Sequence, residues 1–224
     1  RRPQLHRLER RDERARRRVG GAAHREPGGA REDEQQRHDE QRAPRGAHGA
    51  DGEARGVRHQ NQRYTWQQLA KAVDLHARAL LALGLRTGDR LGIWAPNCAE
   101  WLISQVASAK LGVILVNINP AYRSSELEYV LKQSGCQWLI CAGSFKSSDY
   151  HAMLQDLVPE LAAQPIGHAS CDKLPELRGV ISLDPRPPSG FLPWSQLSAL
   201  GAGIPPKQLH SRQASLHFDQ AVNI

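Results

Sequence analysis

Two hydrophobic rhythms alternate along the chain from Tyr64 onward. Trp66, Leu69, Val73, Ala77 and Leu80 recur every three or four positions, the spacing of one helix face. Thr65 followed by Gln68 reads as a capping box at its start, and Gly84 marks its end. In "LRTGDRLGIWAPN" a Gly-Asp turn leads into a short apolar strand ending at Trp94, after which Ala95-Pro96 takes the chain out of regular structure. A second helix is expected with Trp101, Leu102, Gln105, Val106 and Ala109 on adjoining turns, stopping at Gly112.

Val113 to Val116 are too uniformly apolar for a strand with one face in water. Ser125 and Glu128 offer another capping box, and Leu127, Val130 and Leu131 form the stripe of a third helix closing at Gly135. "QWLICAG" is the next strand, "SSDYHAMLQDLVPELAA" is helical, and "ELRGVISLD" carries a further strand. "DPRPPSG" is a proline-stiffened loop, and "PWSQLSALG" starts a short helix with proline in its first turn. Alternating helices and near-continuous apolar strands predict an α/β fold, an open, mostly parallel, doubly wound sheet covered on both faces. The strands are too few for a closed barrel, so an incomplete sheet is expected.

Composition changes the picture at the N-terminal end. The first 60 residues carry more than half of the 30 Lys and Arg, half of the 10 His and no aromatic residue. Such a segment buries too little apolar surface to offset its chain entropy, so residues 1–56 are expected to be a disordered basic tail, with the folded part at 57–224. The formal charge of +7 therefore describes the tail. Asp and Glu interleaved with Arg, and the lack of stacking aromatics, argue against nucleic-acid binding. No apolar run approaches the roughly twenty residues of a membrane span, and no signal-peptide core follows Arg1. Cys98, Cys136, Cys141 and Cys171 form no C-x-x-C pair, so reduced thiols in a cytoplasmic protein are the plain reading.

Ligands of open α/β sheets bind beyond the carboxyl ends of strands, which directs attention to the loops after Trp94, Val116, Cys141 and Asp184. Cys98 precedes a helix, where a thiol pKa can fall, but a small buried thiol is the simpler reading. Asn117, Asn119, Tyr122 and Arg123 lie between a strand and a helix N-terminus, a place that can hold an anion through backbone amides. Phosphate loops need glycines, however, and there is none between Gly112 and Gly135, so a turn begun by Asn-Pro is preferred. His76 and His151 read as surface or satisfied histidines. Glu100, Glu126 and Glu128 stand at helix starts, where dipole and capping roles explain them. Neither a nucleotide fingerprint nor a catalytic motif emerges, and no catalytic, cofactor-binding or metal-binding residue is assigned.

The series "RYTWQQLAKAVDLHARALLALGLRTGDRLGIWAPNCAEW", "AKLGVILVNINPAYRSSELEYVLKQSG" and "LPELRGVISLD" resembles the N-terminal part of AMP-forming acyl-CoA synthetases of the adenylate-forming ligase superfamily, most nearly the medium- and long-chain fatty-acid ligases. The resemblance runs from about Val57 to Ile224. It implies an enzyme that joins a fatty acid to coenzyme A with ATP and magnesium, through an acyl-adenylate and loss of pyrophosphate. It also implies that this portion is scaffold. The family's Ser/Thr/Gly-rich phosphate loop ending in Pro-Lys-Gly is absent, as are its later nucleotide and metal contacts, so the chain is expected to be an inactive fragment that binds none of these cofactors by itself.

Residues 1–56 have the composition of a GC-rich gene read out of frame, with the family frame resuming near Val57. Two rival readings stand beside the fragment. One is a basic-tailed α/β module that binds polyanions. The other is the N-terminal half of a split ligase completed by a separate C-terminal chain.

Overall fold

The computed structural model describes residues 55–59 and 62–224. The tail expected from composition lies outside these apart from Arg55 and Gly56, which begin a strand. That strand, β1 (Arg55–His59), pairs antiparallel with β2 (Gln62–Thr65). The first helix, α1 (Trp66–Ala82), starts as its sequence dictates: Thr65 Oγ1 accepts from the Gln68 amide at 3.1 Å and Gln68 Oε1 accepts from the Thr65 amide at 2.9 Å. After it the chain turns at Gly84, whose φ of 80° a side chain would disfavour.

There follow β3 (Arg90–Trp94), α2 (Ala99–Ala109), β4 (Ile114–Asn117), α3 (Ser124–Ser134) and β5 (Trp138–Cys141). A two-strand hairpin, β6 (Ser144–Phe145) and β7 (Ser148–Asp149), leads into α4 (Tyr150–Leu157) and a 3-10 turn. The remaining elements are β8 (Gly179–Ser182), β9 (Phe191–Pro193), a 3-10 turn at Trp194–Gln196, α5 (Leu197–Ala202) and α6 (Pro206–Ala214). Five strands form one sheet in the order β4-β3-β5-β8-β9, every neighbouring pair parallel.

Period-two alternation sends successive side chains of each strand into two separate cores. Leu91, Ile93, Leu115, Trp138, Ile140, Ile181 and Leu192 face α1, α2, α5 and α6. Trp94, Val116, Leu139, Cys141, Val180 and Phe191 face α3 and α4. Burial on both faces is why the strands read as unbroken apolar runs, and the expected doubly wound α/β sheet is what forms. Beyond α6 the chain returns to the sheet, where Val222–Ile224 run parallel to β4: the Val222 carbonyl accepts from the Leu115 amide at 3.0 Å, and the Ile224 amide donates to the Leu115 carbonyl at 2.9 Å.

Three expectations are corrected. Trp66, placed on the buried stripe of α1, is 56% exposed, because it is the first helical residue and projects past the strands. The buried face of α2 is Ala99, Ile103, Ser104, Ala107 and Ser108, while Leu102 and Val106 point outward; small residues let α2 lie close to its neighbours, and two serines hid the true stripe. The cap of α3 sits two residues earlier than Ser125 and Glu128: Glu126 Oε2 accepts from the Arg123 amide at 2.9 Å, and Glu128 instead pairs with Lys132 one turn on at 3.3 Å.

Candidate functional site at the carboxyl rim of the sheet

In the observed strand order the chain reverses direction across the sheet between β3 and β5, and open α/β sheets take ligands outside the carboxyl ends of strands at such a reversal. Here that place is filled by the protein itself. Tyr150, the first residue of α4, stacks on Trp94 at the end of β3 with ring centroids 3.5 Å apart and planes 7° from parallel. Both rings are wholly buried. The Tyr150 hydroxyl donates to the Pro120 carbonyl at 2.5 Å, tying the loop after β4 to the start of α4. Burial pushes the phenol pKa up to about 12, with the Cys141 thiol adding to the shift, so Tyr150 stays protonated and keeps donating.

The loop holding Asn117, Asn119, Tyr122 and Arg123 is a turn, and the amides of Asn117, Ile118, Ala121, Tyr122 and Arg123 are engaged within the protein. Asn117 donates to the Ile224 carbonyl at 2.9 Å and Ile118 to the Ile93 carbonyl at 3.0 Å. Asn119 Oδ1 accepts from Ala121 at 2.9 Å, the Asn119 carbonyl from Tyr122 at 3.0 Å, and Glu126 takes the Arg123 amide. An anion cradle needs several free amides pointing one way, and these residues do not offer one. Among the described residues no group of three His, Cys, Asp or Glu is placed to hold a metal ion.

Cys98 occupies the position before α2 without capping it, and it is half-buried. Burial raises its thiol pKa to about 11 against the lowering pull of the Trp101 backbone amide, which keeps the thiol protonated at ordinary pH. Cys136 is likewise raised to about 11 by burial, and all four cysteines are free thiols. Glu126 is held below the usual carboxylate range by the Arg123 amide first and its own amide second, the signature of a helix start.

His151, Ser182 and Asp184 come together in a way the sequence did not signal. His151 Nε2 lies 2.8 Å from Ser182 Oγ, which also accepts from the Asp184 amide at 3.0 Å. The trio resembles a nucleophile with its base, but Ser182 is 0% exposed and Asp184 Oδ1 is engaged by the Arg186 amide at 2.9 Å. No reacting carbonyl reaches that hydroxyl, and the cluster closes the end of β8. Burial lowers the His151 pKa against the opposing pull of Asp184 and Asp149. His76 is neither a surface nor a fully satisfied histidine: it is 4% exposed, and its Nδ1 has no hydrogen-bond donor among the described residues.

The model of the family described as "AMP-binding enzyme" matches residues 37–212. The mitochondrial medium-chain acyl-CoA ligase ACSF2 of Mus musculus is 41% identical over 174 residues, covering 78% of this chain and 28% of that protein. The human ACSF2 is 40% identical over 172 residues, again 28% of its length. Among solved structures, the N-terminal domain of FACL13 from Mycobacterium tuberculosis superposes with a TM-score of 0.51 at 21% identity, over 73% of this chain and 34% of that one. The apo structure of MbtA from Mycobacterium smegmatis gives 0.53 at 24% identity, over 67% and 25%. The two structures share the fold, and the family match extends over most of the sequence: the chain belongs to the AMP-binding enzyme family.

Proposed function

We propose that residues 57–224 are the N-terminal scaffold of an AMP-forming fatty-acid–CoA ligase, and that this chain alone carries out no ligation. The observation that carries the reading is the rim, where the buried Tyr150 ring stacks on Trp94 and most loop amides are engaged within the protein, while a 41% identical relative has most of its length outside the matched part. In the complete enzyme, ATP with magnesium would activate the carboxylic acid and coenzyme A would take the acyl group. The contribution of this chain is to supply five parallel strands and both helical layers on which later segments build. A separately encoded C-terminal part would complete the same fold.

The test is acid-dependent pyrophosphate release by the purified chain with ATP, magnesium and decanoate. No release above the protein-free rate is expected, and robust release would overturn the scaffold reading. The tail of residues 1–56 is read as out-of-frame sequence, although the family match begins at residue 37, inside it. Sequencing the coding DNA decides the matter: a single-base shift that restores a family-like N-terminus supports it, and failure of every shift refutes it. Four free thiols suit a reducing compartment, the cytoplasm in our reading, and among the described residues no helix is long and apolar enough to cross a membrane. The ACSF2 relatives carry a mitochondrial designation in their names, so fractionation of the source cells is the direct check.

A further inference from the structure

Leu209, the one buried residue of α6, holds that helix to the body of the protein and leaves a groove of about 570 Å³ between it and the end of α1. Leu81 and Pro205 give the groove an apolar wall, and Lys207, Gln208, Ser211 and Arg212 line it with donors. Arg212 is fixed in place. The Thr87 hydroxyl donates to the Leu111 carbonyl at 3.1 Å and, its proton so committed, accepts from Arg212 Nη1 at 3.3 Å. That neutral partner takes one corner of the guanidinium and leaves its charge and the rest of its fork unpaired.

No carboxylate answers this charge. None lines the groove, and the ion pairs among the described residues, Lys110 with Asp74 and Lys132 with Glu128, use neither Lys207 nor Arg212. The stretches that supply the groove walls, 75–88 and 185–218, contain no Asp or Glu, while Arg78, Arg86, Lys207 and Arg212 all fall within them. Two cations beside a hydroxyl and an amide match a group with about two negative charges and three acceptor oxygens, which describes a phosphate monoester near neutral pH. The volume lies within the roughly 300–1,000 Å³ of small-molecule sites and leaves room for the organic part of the ester beside Leu81 and Pro205. Nucleic acid is a poorer match, because proteins that grip its backbone commonly make about 6–10 phosphate contacts and the groove offers two cations.

We propose that the groove between α1 and α6 binds a small phosphate monoester, its oxygens between Lys207 and Arg212 and its organic part against Leu81 and Pro205. Phenyl phosphate is the probe, and phenol, which keeps the ring and lacks the charge, is its control. Each is titrated into the full 224-residue chain carrying ¹⁵N-labelled arginine, at about 0.15 M salt so that charges not in direct contact are screened.

Phenyl phosphate should bind saturably, one molecule per chain, and shift the Arg212 Nε–H resonance, with phenol binding about tenfold more weakly or less. Arg212→Gln should weaken phenyl phosphate about tenfold. Lys207→Gln should do the same, and because Lys207 is exposed and makes no ion pair it stands as the test if Arg212→Gln does not fold. Lys173→Gln, an equal loss of charge at an exposed site on the loop before β8, should leave the affinity unchanged. Equal affinity for phenol and phenyl phosphate, unchanged binding in Lys207→Gln, an equal loss in Lys173→Gln, or duplex DNA binding more tightly per phosphate than the monoester would each overturn the proposal.

Discussion

His76 and Tyr150 show how single buried side chains set the behaviour of this chain. The folded state holds the His76 imidazole neutral down to about pH 3, whereas the unfolded chain takes up a proton near the ordinary value of 6.5. Below 6.5 the unfolded state binds more protons, so this contribution to stability is fully present above 6.5 and drains away as pH falls toward 3. Between pH 7.5 and 5.0 the loss from His76 is about 2 kcal/mol, with His151 acting in the same direction. The urea midpoint should fall over that interval, and His76→Phe should flatten the fall; an unchanged wild-type midpoint would refute the assignment. Tyr150→Phe keeps the stack on Trp94 and removes the hydrogen bond to Pro120. It should cost about 1 kcal/mol and speed amide exchange at Tyr122, whose turn Pro120 belongs to; unaltered exchange there would show that the hydroxyl does not hold the loop.

At the level of elements, the fold rests on close approaches as much as on apolar stripes. Gly201 of α5 packs against the Leu75 carbonyl of α1, where a methyl group would collide with backbone. Gly201→Ala should therefore cost about 1–3 kcal/mol in unfolding free energy, and a change below 0.5 kcal/mol, in order of magnitude, would show that α5 slides freely. Thr65→Ala removes one half of a capping box seen in full and should cost about 1 kcal/mol by the same measurement. The capping box of α1, the uniformly apolar β5 and the ends of α1 and α3 at Gly84 and Gly135 were legible because each rests on local chemistry. The buried face of α2 was not: Ala99, Ala107 and Ser108 face inward because space there is short, a tertiary fact that hydrophobicity does not encode. The β6–β7 hairpin, β9 and α6 escaped the same reading because runs of two to nine residues with few apolar positions leave little periodicity.

For the whole molecule, the parallel sheet and the family were written in the order of its motifs, while the packing at the rim, where Tyr150 stacks on Trp94, was not. The unmet Nδ1 of His76 was equally invisible, because pairing of a histidine depends on residues far along the chain, Ser104 and Trp194 among them. The outward Leu102, Val106, Phe218 and Ile224 leave apolar side chains exposed to solvent. The chain made alone should accordingly self-associate, and light scattering of a monodisperse monomer at high concentration would contradict that. If residues 57–224 serve as ligase scaffold, a chimera should show it directly. These residues would replace the matched segment of mouse ACSF2, with ATP–pyrophosphate exchange then measured in the presence of decanoate. Acid-dependent exchange within about tenfold of the parent enzyme is the expected result; a folded, ATP-binding chimera with no acid-dependent exchange would contradict it.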